Sequence, residues 1–292
     1  MIMEAVPFVL IGVLISGLIQ TFVTERWIAR IMPRNRLLAS LFGCGVGALY
    51  PSCECGIIPV TRRLLYKGMP LSAGIAFILT APIINPIVLF ATYIAFGNDW
   101  KIAAIRAVMA IAVAFLVSVA VSFLYPRPPM RIQELEAPVA ATTEADVLRQ
   151  HRAGKPVLSR LYQVLTHAIE EFFSVGKYLV VGALIAACIQ TYVPTSYLLQ
   201  LGGNPVASSL VMIGLAFLMS LCSAADAFIA ASFRSTFSTG SISAFLVFGP
   251  MVDIKNTLML VGTFKGKFIA ALIALVALFT LAGSLIVGRL FE

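Results

Sequence analysis

GCGVGALYPSCECG, residues 43–56, breaks an apolar run with four glycines, one proline, three cysteines and the carboxylate of Glu54. Pro51 lacks a backbone donor and disfavours helix at the residue before it. A continuous regular helix through this stretch is disfavoured, and the hydrophobicity around it decides what replaces one. Of 292 residues, 60% are hydrophobic and 12% charged, with a mean hydropathy of +0.98, against roughly 25% charged in an average soluble domain. Apolar runs long enough to cross a hydrocarbon core of about 30 Å recur along the chain. The short alternating segments of a membrane β-barrel are absent. The sequence specifies an all-α polytopic membrane protein in which 37–60 is a broken, re-entrant hairpin.

Working outward, eight hydrophobic segments fall at 5–23, 37–60, 71–97, 102–125, 172–193, 205–232, 241–263 and 266–288. They divide into a first transmembrane repeat (1–125), a polar cytoplasmic linker (126–165) and a second transmembrane repeat (166–292). The linker carries PRPP, four acidic residues from Glu134 to Asp146 and six basic ones, too polar to bury a core. The net charge of +8 is scattered over short loops, which fits topology better than nucleic-acid binding.

LIGVLISGLIQTFV (10–23) matches VVGALIAACIQTYV (180–193) at seven of fourteen positions, and ILTAPIINP (78–86) matches LVFGPMVDI (246–254). Glu54 and Arg62 correspond, with a small register shift, to Asp226 and Arg234. The chain therefore reads as a duplication. Basic residues follow the first segment (Arg26, Arg30, Arg34, Arg36) and the second (Arg62, Arg63, Lys67), so both loops belong on the cytoplasmic side. That holds only if 37–60 turns back. Three full crossings plus one hairpin per half is an odd number of crossings, which makes the two repeats inverted.

Ionisable groups at bilayer depth are costly and mark functional sites. Glu54 and Asp226 lie in the two hairpin segments, and Asp253 and Lys255 in FGPMVDIKN; the last two could equally form a mutually neutralising pair or a helix end at the interface. Pro82, Asn85 and Pro86 make a third break, and Gly249, Pro250, Asp253 and Asn256 a fourth. Freed backbone groups at such breaks need protein or a water-filled site, which is where transporters bind substrate.

Cys53 and Cys55 in extended chain project to one side, a soft clamp for a thiophilic metal ion or metalloid. Cys222, in the equivalent hairpin of the other half, could add a third sulfur. The alternative is packing, which is also the expectation for Cys44 and Cys188 in apolar runs. Glu54 between the thiols opposes thiolate formation by like charge, and a carboxyl in that position can exchange a proton as substrate binds. No catalytic triad, P-loop or dinucleotide fingerprint is present, so neither an enzyme nor a cofactor is expected. His151 and His167, in or near the linker, read as solvated surface residues.

PSCECGIIPVTRRLLYKGMPLSAGIAFILTAPIINPIV (51–88), followed by SLCSAADAFIAASF (220–233) and AFLVFGPMVDIKN (244–256), resembles the bacterial predicted-permease family of the ArsP organoarsenical efflux permeases and the YraQ-like permeases. The resemblance covers nearly the whole chain. It implies a multi-pass permease of the bacterial inner membrane, with trivalent methylated arsenicals exported by one branch. It marks Cys53, Cys55, Asn85, Asp226 and Asp253. Glu54 departs from the more usual Cys-Ser-Cys of that family. The expectation is a proton-coupled exporter of a thiol-reactive metalloid or soft-metal species; the alternatives are a permease for another sulfur compound or small anion, or a subunit acting with a partner protein.

Overall fold

A computed structural model describes residues 35–50, 54–125, 176–185 and 204–291, with isolated positions between 10 and 33 and between 166 and 188. The linker, both histidines' surroundings and Cys53 lie outside these residues, as does most of the first segment.

The described residues are helical and contain no strand beyond isolated bridges. The helices are α1 (Arg36–Leu49), α2 (Glu54–Tyr66), α3 (Leu71–Thr80), α4 (Pro86–Ala95), α5 (Trp100–Leu124), α6 (Gly176–Ile185), α7 (Pro205–Met219), α8 (Ser223–Ser232), α9 (Thr239–Met251), α10 (Ile254–Val261) and α11 (Gly266–Phe291). By length and composition, α5, α9 with α10, and α11 can each cross a membrane. Between their charged ends the exposed side chains, among them Val108, Leu116, Phe123, Leu278 and Ile286, are apolar. Such surface is stable against acyl chains and is an aggregation hazard in water. This is a membrane protein.

The breaks fall where the sequence places them. Tyr50, the residue before Pro51, adopts extended angles (φ −93°, ψ 104°) and ends α1. Pro86 opens α4 at the first helical position, where its missing N–H costs nothing, and Asn85 caps it by accepting from the Ile87 amide at 3.0 Å. Asp253 stands at the matched place in the second half, capping α10 through the Asn256 amide. Pro250 is accommodated inside α9, and the chain leaves the helix only at Val252.

In the first half, α1 and α3 run parallel, because Gly43 abuts Ala73 and Gly47 abuts Thr80 and Ala81. Glycine is required here: a Cβ on Gly43 would collide with the Ala73 carbonyl. Between them α2 returns, its Thr61 and Leu65 against Gly74 near the start of α3. In the second half, α7 and α9 meet in a comparable way. Ser208 at the start of α7 donates to Ser241 at the start of α9 (2.8 Å), and Gly249 lies against Ala216 farther along. Every residue of α3, and all but the first of α9, is buried, so these two helices form the centre of the molecule.

The long helices α5 and α11 pack antiparallel: Tyr125 meets the Phe268 ring edge-on with centroids 5.1 Å apart, and Met109 meets Gly283. One end of the molecule therefore gathers the start of α1, whose Arg36 donates to the Ser122 carbonyl at 3.0 Å, the α2–α3 turn, the end of α5 and the start of α11. The opposite end gathers the Gly97-Asn98 turn, the α8–α9 link, whose Arg234 donates to the Phe96 carbonyl at 3.4 Å, and the end of α11. The contacts between halves are exchanged: α2 packs on α10, and α8 packs on α4.

Cys188 corrects one expectation. It is exposed, whereas Cys44 is buried and accepts from the Thr80 hydroxyl at 3.4 Å. Cys188 sits on an apolar helix, and a thiol facing lipid needs no burial.

Candidate functional site

Five charged side chains are buried among the described residues: Glu54, Arg106, Asp226, Asp253 and Lys255. Four come from the helix breaks. Glu54 opens α2, Asp226 lies in the first turn of α8, and Asp253 and Lys255 flank the start of α10. Half-helix starts suit carboxylates, since the free N–H groups and the helix dipole favour negative charge there.

Two groups form where the halves exchange partners. In the first, Asn256 Nδ2 donates to Glu54 Oε2 at 3.2 Å, and Lys255 Nζ stands 3.4 Å from Asp253 Oδ2 and 4.0 Å from Glu54 Oε1. Lys255 thus joins a carboxylate of its own half to one 201 positions earlier, in the other. It also donates, from Nζ, to the Ser220 carbonyl at 3.5 Å, while its amide donates to the Ser220 hydroxyl at 3.4 Å. Ser220 ends α7 in the left-handed region (φ 45°, ψ 44°), a costly conformation for a residue with a Cβ.

In the second group, the fully buried Arg106 of α5 donates to the Thr92 hydroxyl of α4 at 2.7 Å and to the Ser223 carbonyl at the start of α8 at 3.0 Å. This places it at the start of α8, on the residue after Cys222 and three before Asp226. Asp226 packs against Gly249 of the central helix, where a Cβ would stand 3.1 Å from Oδ2. The arrangement is crossed: the cation beside the first half's Glu54 belongs to the second half, and the cation bonded to the start of the second half's α8, which carries Asp226, belongs to the first.

The structure brings together Glu54, Asp253, Lys255 and Asn256, and sets Asp226 and Cys222 near Arg106. Lys255 and Asp253 do form a pair, but a buried one shared with Glu54. Asn85 serves as a helix cap, its side-chain oxygen committed to the backbone. Cys222 is half-buried at the cap position of α8. Cys53 and the Cys55 side chain lie outside the described residues, and no three His, Cys, Asp or Glu side chains among the described ones converge on a metal position.

Sequence reasoning missed Arg106 and Ser220. Arg106 is the one basic residue in the run 102–125, and lies six residues into α5, close enough to a helix end to read as interfacial. Aligning the two halves by sequence gives the sharper signal: setting Lys101 on Lys267 puts Leu272, fully buried, opposite Arg106. Ser220 gives no signal, because nothing in its neighbours demands a left-handed residue.

A helical membrane protein whose buried charges converge at broken helices has the construction of a permease. The comparisons agree. Residues 1–289 match the family model described as Predicted permease, and the chain belongs to that family. It is 56% identical over 286 residues to the UPF0718 protein YcgR of Bacillus subtilis, covering 98% of this chain and 94% of that one. It is 40% identical over 287 residues to a Streptococcus mutans protein named putative two-component membrane permease complex subunit, covering 98% and 92%. A shorter match, 26% over 108 residues, covers 37% of this chain and 31% of the Escherichia coli UPF0718 protein YraQ. No solved structure matches the chain.

Proposed function

We propose that this chain is a proton-coupled secondary permease of the bacterial inner membrane, built as two inverted repeats, whose cargo passes the crossed charge groups between α2, α10, α4 and α8. Matched helix breaks, exchanged packing between halves and antiparallel α5 and α11 support the inversion. Arg36, Lys67, Lys265 and Lys267 belong to the same end of the molecule, which under the positive-inside rule is the cytoplasmic one.

One observation carries the coupling. Among the described residues three buried carboxylates face two buried cations, which leaves one surplus negative charge when all five are ionised. A single proton neutralises it. Protonating Glu54 removes the attraction that ties Lys255 to the first half, while Asp253 keeps Lys255 charge-paired in the second. Proton uptake thereby loosens the contact between halves, which is what alternating access requires.

The cargo we favour is a thiol-reactive trivalent metalloid such as methylarsenite, taken by Cys222 with Cys53 and Cys55, which flank Glu54 in the chain. Cys222 at the α8 break, next to the Ser223 carbonyl that accepts from Arg106, supports this. In a host sensitive to methylarsenite, expression raises tolerance and Cys222→Ser removes the gain; protection equal to wild type from a triple variant of Cys53, Cys55 and Cys222 overturns the thiol clamp. A second reading, one subunit of a two-part permease, is favoured by the name of the Streptococcus mutans relative. Transport by the purified chain alone in proteoliposomes refutes it.

A further inference from the structure

The contacts of the Lys255 ammonium include oxygens from three places: Asp253 Oδ2 at 3.4 Å, the Ser220 carbonyl at 3.5 Å and Glu54 Oε1 at 4.0 Å. Direct charge-assisted hydrogen bonds are shorter, about 2.7–2.9 Å. These three contacts are each longer than that. Two further observations mark this place as a binding position. Asn256, 4% exposed and bonded to Glu54 through Nδ2, has an amide oxygen without a hydrogen-bond partner among the described residues. Ser220 holds a left-handed backbone while its carbonyl oxygen takes the ammonium. Carboxylates, a backbone carbonyl and an amide oxygen are the hard donors that hold alkali and alkaline-earth ions.

We infer that Lys255 is a tethered cation filling a monovalent-cation seat between the two halves, and that sodium takes the seat when the side chain is cut back. This rests on reading the charge cluster as the transport centre, and it goes further: the cation that bridges the halves is part of the chain. The permease therefore needs no sodium, and Arg106 and Asp226, the nearest charged groups of the second cluster, stay outside the exchange. Removing the four terminal side-chain atoms of Lys255 leaves Glu54 and Asp253 facing each other across space for a hydrated sodium ion.

The test uses the purified full-length protein and thermal unfolding in sodium chloride against choline chloride at equal ionic strength. Wild type unfolds at the same temperature in both. Lys255→Ala unfolds at least about 3 °C higher in sodium chloride, a shift that follows from sodium well above its dissociation constant. Adding Glu54→Gln to Lys255→Ala abolishes the difference. Equal midpoints for Lys255→Ala in both salts overturn the inference, as does a sodium shift of the same size in wild type. If Lys255→Ala is too unstable to unfold cleanly, its monodisperse yield after solubilisation is compared between salts: recovery in sodium alone supports the seat, and equal loss overturns it. No cargo enters the measurement, so failure of the metalloid reading leaves its outcome unaffected.

Discussion

Asn256 donates a hydrogen bond to Glu54 across the two halves of the chain, Nδ2 to Oε2 at 3.2 Å, and Lys255 beside it brings a positive charge to the same carboxylate. Asn256 and Lys255 both belong to α10, the helix that packs on α2. Glu54→Ala therefore leaves Lys255 with one carboxylate and lowers stability, and Lys255→Ala does the same from the other side. Because the two share one interaction, the double variant loses less than the sum, with a coupling of about 0.5–3 kcal/mol in unfolding measurements. Strict additivity would place the pair outside a common network.

Arg106→Leu removes the buried cation that bonds Thr92 and the start of α8, where Asp226 lies, and lowers stability by about 1–3 kcal/mol. Adding Asp226→Asn recovers much of that stability, since no uncompensated charge remains, but transport stays lost. Arg106→Lys is not a rescue, because a single ammonium cannot reach both the Thr92 hydroxyl and the Ser223 carbonyl. Thermal midpoints and uptake measured on the same preparations separate the two roles; recovery of both by the double variant would make Arg106 purely structural.

Gly43→Ala puts a methyl group into the Ala73 carbonyl and forces α1 from α3, at a cost of about 1–3 kcal/mol. Gly45→Ala, two residues on, meets nothing within 4 Å and leaves the unfolding temperature unchanged or slightly raised. The pair of variants reads the parallel α1–α3 contact directly.

The thiols divide in the same way. Cys44→Ser and Cys188→Ser keep methylarsenite tolerance, because one packs beneath Thr80 and the other lies on the outer surface. Cys222→Ser loses it. Tolerance lost equally in all three would point to damage to folding rather than to a thiol site.

Much of this arrangement was legible in the sequence, and the physical reason is that prolines and intramembrane charges are few and each constrains the backbone. Pro51 and Pro86 located two breaks, the Ala-Pro and Gly-Pro steps pointed to the helix caps Asn85 and Asp253, and cost at bilayer depth singled out the buried Glu54 and Asp226. Which cation serves which carboxylate was not legible. Lys255 looked self-sufficient beside Asp253, and only the exchange of α2 and α10 between halves reveals its second partner. Arg106 stayed hidden because a basic residue near a helix start is ordinarily interfacial, and its burial depends on α4 and α8 closing over it.

Accumulation of methylarsenite by everted membrane vesicles under an imposed proton gradient, with wild type and Glu54→Gln compared, tests the coupling centre most directly. The account predicts accumulation by wild type that an uncoupler abolishes, and none above the vesicle background for Glu54→Gln, whose amide keeps a neutral contact to Asn256 but cannot take or release the proton. Accumulation by Glu54→Gln equal to wild type, and equally sensitive to the uncoupler, would contradict it.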